Sequence, residues 1–411
     1  MTTAREAPDI LSPEFAADPY SAYRVMLEDL PLVRLEAMQS YVISRYEDVE
    51  RAFKDSTFTT DNYEWQLEPV HGRTILQMRG REHSVHRALV APAFRGNELR
   101  EKFLPVIERN SGELIDNFRD AGRVDLVEGF TTHFPINVIV DMLGLDKSDH
   151  DKFHRWYTSI IAVFGNLSQD PEVAADGDRT RRELGDYLIP IIRQRRENPG
   201  DDLLSTLCAA EIDGTQMSDD DIRAFCSLLL AAGGETADRA IASLFTNLLL
   251  HPDQLEAVRA DRSLIPKAFA ETLRYTPPVH MVTRQVADDV TLSGGVVPAG
   301  STVICAVGAA NRDPRHFTDP DSFNIFRDDL AADTAFTAAA QHVSFSLGRH
   351  FCVGAMLGKT EVEVATNQLL DAMTDIRFED GFVPAEQGVF TRGPTTLPIR
   401  FTPGSGERRS A

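Results

Sequence analysis

The segment 345–361, FSLGRHFCVGAMLGKTE, carries the residue types and spacing best suited to chemistry in this chain. Cys352 sits in a loop punctuated by Gly348 and Gly354. An apolar helical pattern through Ala355, Leu357, Glu361 and Val364 begins directly after it. A sulfur at a helix N-terminus meets free backbone N–H groups and the positive end of the helix dipole, and both favour thiolate over thiol. Thiolate is the form that binds a metal or acts as a nucleophile. A catalytic thiol would need a histidine base, but His350 is a loop neighbour two residues away and poorly placed for that task. Gly348 can take a turn conformation closed to other residues, and Gly354 lets the backbone come close to a flat partner. Cys208, Cys226 and Cys305 are widely separated and read as buried small hydrophobes.

Other pairs stand at suggestive spacing. Glu235 and Thr236 fall deep in an apolar helical stretch. A threonine there can bond its own i−4 carbonyl, whereas a buried glutamate must find a partner. His83 and Arg87 are four apart and share one helix face. Glu271 and Arg274 are three apart on a helix that must end before Thr276-Pro277. Taken alone, such a pair is an ordinary surface ion pair.

The elements that position these residues are mostly helical. Leu99, Phe103, Val106, Ile107, Leu114 and Ile115 predict an amphipathic helix over 98–118, kinked or restarted by Pro105. Residues 183–207 predict a helix that runs into a turn at Pro199-Gly200 and then restarts. The longest helix is predicted over 218–250, capped by Ser218 and led by Asp219 to Asp221. Strands are predicted at 41–44, at 302–307 after the Pro298-Ala299-Gly300 turn, and at 397–401. The fold class read here is mainly α, a large helical domain with a small peripheral β-sheet region.

The chain has 411 residues, of which 42% are apolar and 26% charged, values ordinary for a globular protein. No linker divides it, so one domain over 1–411 is expected. A helical core is expected over about 85–275 and 350–375, with β-rich parts near 30–60, 280–310 and 376–402. The net charge of −21 argues against a nucleic-acid or anionic-membrane partner, because both need basic surface. No signal peptide or spanning segment is apparent, and a cytoplasmic protein is expected.

The pattern Phe345-x-x-Gly348-x-His350-x-Cys352-x-Gly354 resembles the haem-binding loop of the cytochrome P-450 superfamily. Other parts of the chain resemble that family in the same order. They include Asp18-Pro19-Tyr20, Ser44 to Val49, His83-x-x-x-Arg87, Ala232-Gly233-Gly234-Glu235-Thr236, Glu271-x-x-Arg274 and the run 311–323. The resemblance implies a cytochrome P-450 fold and a haem b cofactor with Cys352 as the proximal iron ligand, whose thiolate pushes electron density onto the iron. It implies that Phe345 shields the sulfur, and that His83, Arg87, Arg284 and His350 contact the propionates. Gly233 would make room for O2, Thr236 would donate a hydrogen bond where O2 is activated, and Glu235 would relay protons. Glu271 and Arg274 would be buried and structural, joined by a third cation. Ser322 stands where that partner is expected, leaving Arg315, Arg327 or His316 as candidates. Ser346 departs from the family's more usual glycine.

The implied activity is that of a monooxygenase inserting one atom of O2 into a small, largely apolar substrate. The alternative is a haem-thiolate enzyme that takes no oxygen from O2, as in phenol coupling, desaturation or peroxygenation. The resemblance places Val279, Met281, Val282, Val389 and Phe390 against the substrate. Tyr63, Trp65, Val70, Ile75, Ile161, Val163 and Phe164 are weaker candidates, and Asn62 and His280 are possible polar contacts. No G-x-G-x-x-G nucleotide fingerprint is present. Electrons would therefore come from NAD(P)H through a ferredoxin reductase and a ferredoxin, docked on Arg95, Arg100, Lys102, Arg349 and Lys359.

Overall fold

The computed structural model describes residues 7–166 and 170–404. Its axis is the helix Asp219–Leu250, 32 residues long. Ser218 caps it: the Ser218 hydroxyl accepts from the Asp221 amide at 3.1 Å, and the Asp221 carboxylate accepts from the Ser218 amide at 2.9 Å. Ile241, Leu244, Phe245 and Leu248 are fully buried, because the helices Phe134–Met142, Pro171–Glu197, Ile265–Tyr275 and Ala355–Ala372 pack around this one.

The 98–118 prediction is met in pieces: a turn at Gly96–Glu98, a π-turn over Leu99–Phe103, and the helix Leu104–Asp116. Pro105 has no N–H for the carbonyl one turn back, and the wider π-turn absorbs that loss. The helix expected from 183 starts earlier, at Pro171, where Asp170 caps the Glu172 amide at 2.8 Å. Its first turns, PEVAADGDRTRR, carry almost no apolar periodicity, so the core-facing signal was missing there. The chain restarts as expected, at Leu203–Ala209.

A five-stranded sheet runs in the order Leu32–Leu35, Ser40–Ile43, Thr302–Ala306, Met281–Val286, Phe58–Thr59. Only the Ser40–Ile43 and Thr302–Ala306 pair is parallel, with Thr302 opposite Ser40; the other neighbours are antiparallel. A second sheet joins Met373–Phe378, Pro398–Pro403 and Arg123–Asp125. The expected boundaries therefore need correction. The β-rich stretch near 30–60 also holds the helix Tyr46–Lys54, and the helical stretch contributes both the strand Arg123–Asp125 and a hairpin at Glu211–Gln216. No helix among the described residues is long and apolar enough to cross a membrane.

The Glu271 and Arg274 pair is buried, with both residues 0% exposed. Arg274 grips the carboxylate with two bonds, Nε to Oε2 at 2.7 Å and Nη2 to Oε1 at 2.8 Å. The third cation is Arg327, whose Nη1 lies 3.2 Å from Oε1. Arg315 instead pairs with Asp313, and His316 stacks on Tyr46. Ser322 contributes only its carbonyl, which accepts from Arg274 Nη2 at 3.0 Å, alongside the carbonyls of Asn311 and Pro320. This cluster ties the Ile265–Tyr275 helix to the irregular 311–327 segment that leads into the cysteine loop.

Removing one cation from a buried carboxylate is costly. Arg327→Ala is expected to lower unfolding free energy by about 3 kcal/mol in denaturant titration, whereas Arg315→Ala should change it by less than about 1 kcal/mol. Equal effects would remove Arg327 from the cluster.

Candidate active site

Between the central helix and the cysteine loop lies a cavity of about 330 Å³. Phe225, Leu228, Leu229, Ala232, Thr236 and Ala240 supply one wall. They recur at three- and four-residue intervals and so share one face of the helix. Cys352, Phe345, Val353, Gly354 and Leu357 form the opposite wall. Sulfur and threonine thus face one apolar space from opposite sides.

The loop is shaped by its backbone. The Cys352 amide donates to the Phe345 carbonyl at 2.8 Å, closing the turn. Gly348 has φ +67°, and a Cβ there would come within 2.7 Å of the Phe53 carbonyl oxygen. This glycine therefore lets the loop seat on the Tyr46–Lys54 helix; it does not line the cavity. Burial pushes the Cys352 thiol up, while hydrogen bonds from the Gly354 and Ala355 amides and the Arg87 charge pull it down. The helix-start expectation accounts for these amides but omitted the cost of burial, which wins for the bare sulfur. A bound metal ion would reverse that balance, because a coordinating thiol is deprotonated outright.

One edge of the site is cationic. The His83 and His350 rings lie 4.5 Å apart, and both residues line the cavity with Arg87. Burial and then the charges of Arg284, His83, Arg87 and Arg349 press His350 down to about 3. Burial, Arg87 and Arg349 also lower His83, whose Nε2 is buried without a partner. Arg284 is 3% exposed and reaches this edge from the strand Met281–Val286. Every charge acting on the two histidines is positive. Among the described residues the carboxyl on the cavity wall is Glu361, which burial raises to about 8; it stays protonated at neutral pH and cannot balance these charges.

Thr236 donates its proton to the Ala232 carbonyl at 2.7 Å, leaving its lone pairs as acceptors toward the cavity. The helix is continuous through this point. Gly233 lines the cavity, but a Cβ there would also meet Ile139 Cδ1 at 2.9 Å, so the residue serves helix packing as well. Glu235 faces away from the cavity. Its Oε1 accepts from Arg239 Nε at 3.0 Å and from Thr391 Oγ1 at 2.7 Å. One turn on, burial raises Asp238 to about 6 despite its bond from Thr131.

Of the substrate candidates, Val279, Val282 and Ile75 line the cavity. Met281, Val389 and Phe390 do not; they pack into a second core with Tyr23 and Ile304. The reason is strand alternation: Val282 faces the cavity, so Met281 must point to the other side. The amides of His280 and Met281 both bond the Phe390 carbonyl, which draws that segment to the same side. His280 is buried against Tyr23, at 3.2 Å from its hydroxyl. Trp65 is 62% exposed, and Val70 is in the main core. Ile161, Val163 and Phe164 pack against that core outside the cavity wall, and Asn62 bonds Thr283. The sequence reading missed Phe225, Leu228 and Leu229, which helical spacing counted back from Thr236 would have found.

A family model described as cytochrome P450 matches residues 17–374. The chain is 42% identical to pulcherriminic acid synthase of Bacillus subtilis, over 95% of this chain and 97% of that one. It is 32% identical to 6-deoxyerythronolide B hydroxylase of Saccharopolyspora erythraea, over 98% and 100%. The solved structure of cytochrome P450 CYP109Q5 from Chondromyces apiculatus superposes with a TM-score of 0.86 at 31% identity, covering 97% of this chain and 99% of that one. With a sulfur and a threonine facing across one apolar cavity, and with these matches along nearly its whole length, the chain belongs to the cytochrome P450 family of haem b monooxygenases.

Proposed function

We propose that this monooxygenase oxidises a small, largely apolar molecule held between Thr236 and Cys352, with a ferredoxin delivering the electrons. The observation that carries the reading is the shared cavity, with sulfur on one wall and a hydroxyl acceptor on the other. Haem b fits the residues present. Cys352 Sγ, with two backbone amides aimed at it, would hold the iron, and Phe345 and Gly354 would cover the sulfur face. The Arg87 and Arg284 charges, left without a carboxylate and flanked by the His83 and His350 rings, call for anions, which two propionates would supply. Bound haem would supply O2 activation.

The protein's own part is positioning and proton handling. Apolar side chains from Phe225 to Ala240 exclude water and select an apolar substrate. Thr236 Oγ1 accepts a hydrogen bond in the cavity and passes its own proton when the bond to Ala232 breaks. Glu235, one residue before Thr236 and held by Arg239 and Thr391, would take up a proton from outside and hand it on to replace the one Thr236 gives. The relationship to pulcherriminic acid synthase supports a small-molecule substrate.

Arg95, Arg100 and Arg349 are exposed near the sulfur side and offer an acidic ferredoxin a basic landing site. Lys102 and Lys359 contribute less, because Asp201 at 2.8 Å and Glu363 at 3.1 Å neutralise them. Ferredoxin and NAD(P)H both belong to the cytoplasm, where this reading places the chain.

Four measurements test the reading. Cys352→Ser should abolish the carbonyl absorbance of a thiolate-bound ferrous haem, and its retention would exclude Cys352 as ligand. Thr236→Ala should cut product per NAD(P)H consumed by about tenfold or more, with peroxide released instead; unchanged coupling would remove Thr236 from proton delivery. With isotopic O2, label in the product separates monooxygenation from the coupling, desaturation or peroxide-driven alternatives. For the partner, Arg100→Glu with Arg349→Glu should slow ferredoxin-driven reduction at low salt by about tenfold and leave dithionite reduction unchanged. An equal rate would displace the docking site.

A further inference from the structure

Ser346 holds φ +58°, inside the left-handed region that side chains other than glycine's avoid. Glycine would adopt this conformation without steric penalty. Strain kept at a site wall points to something the hydroxyl does. Ser346 lines the cavity, and its Oγ lies 3.4 Å from Arg284 Nη2.

Arg284 is held from four sides. Its Nη1 donates to the Thr283 carbonyl at 2.8 Å and to the Tyr63 hydroxyl at 3.2 Å. Its guanidinium carbon sits 5.0 Å from the centre of the Phe53 ring. Tyr63 is itself anchored, donating to the Thr283 carbonyl at 3.2 Å, while Asn62 bonds Thr283 Oγ1 at 2.8 Å. A guanidinium has five donors in a rigid plane. With both Nη1 hydrogens and one Nη2 hydrogen engaged, Nε–H and the remaining Nη2–H are left for a carboxylate. Phe53 fixes the plane, and the two hydroxyls fix the rotation within it.

We propose that Ser346 and Tyr63 are positioning residues: a hydroxyl on each side of Arg284 aims its remaining donors at a haem propionate, and the strained backbone at 346 is retained for that hydroxyl. The proposal rests on the reading of Arg284 as a propionate contact. In this role Ser346 is the reason the loop departs from glycine, and Tyr63 links the 60–66 segment to the cofactor edge.

The test uses purified haem-loaded protein and measures thermal midpoint, haem transfer to excess apomyoglobin, and ferric–ferrous potential. Ser346→Gly relieves the backbone, so its midpoint should fall less than that of Arg284→Gln, yet haem transfer should be about three- to tenfold faster than in the parent. The potential should fall, because the propionate is less well neutralised. Tyr63→Phe should move haem transfer and potential in the same directions. Faster release in Ser346→Gly with an unchanged potential would indicate loop packing alone and overturn the proposal. Arg284→Gln separates the two layers. If it releases haem quickly while Ser346→Gly and Tyr63→Phe match the parent, the clamp is wrong and the propionate contact stands. If Arg284→Gln also matches the parent, the propionate contact itself fails.

Discussion

A buried positive charge needs a negative one, and this chain meets that requirement in two different ways. At Glu271 the account is closed within the protein. One carboxylate accepts from Arg274 and Arg327, and the remaining Arg274 donors reach the carbonyls of Asn311, Pro320 and Ser322. At the cavity edge it stays open. His83, Arg87, Arg284 and His350 gather with only positive charges acting on the histidines, and the nearby Glu361 is neutralised by its own burial. The first cluster is a lock, and the second, in the function proposed above, is a binding edge. They differ in whether the counter-charge comes from the chain.

The central helix divides its labour in a similar way. The face that carries Phe225, Leu228, Ala232 and Thr236 is apolar and turned to the cavity. Its only hydroxyl keeps its proton on a backbone carbonyl. Glu235 lies on another face, where Arg239 and Thr391 make burial of its charge tolerable. Thr391 comes from the C-terminal segment that pairs with Val279, so the acid is held by the same strand contact that shapes the cavity rim. A dry reaction space and a charged neighbour can then lie one residue apart, because adjacent helix positions point about 100° away from each other.

The cysteine loop is placed from both ends. Gly348 seats it against the Tyr46–Lys54 helix, and the start of the Ala355–Ala372 helix aims two amides at the sulfur. The segment before it is held by Ser344, which donates to the Leu273 carbonyl at 2.6 Å. A change at the Glu271 cluster would therefore reach the sulfur through a few short contacts, since Leu273 lies on the same helix as Glu271 and Arg274.

Sequence alone determined what depends on local spacing. The capped start of the central helix, the apolar period that buries it, the glycine-flanked cysteine before a helix, and the shared face of His83 and Arg87 all follow from residues within a turn or two of each other. Only the tertiary structure decided what depends on distant partners. Arg327, 56 residues from Glu271 in the chain, was one of three cations the sequence allowed, and its bonds to Asp329 and the Thr318 carbonyl hold it at the carboxylate. Met281, Val389 and Phe390 were equally apolar in either role; the pleat of the Met281–Val286 strand and its contact with Phe390 sent them to the second core. The left-handed backbone of Ser346 was invisible for the same reason. The residue's hydroxyl meets an arginine 62 residues earlier in the chain, a contact that no local spacing announces.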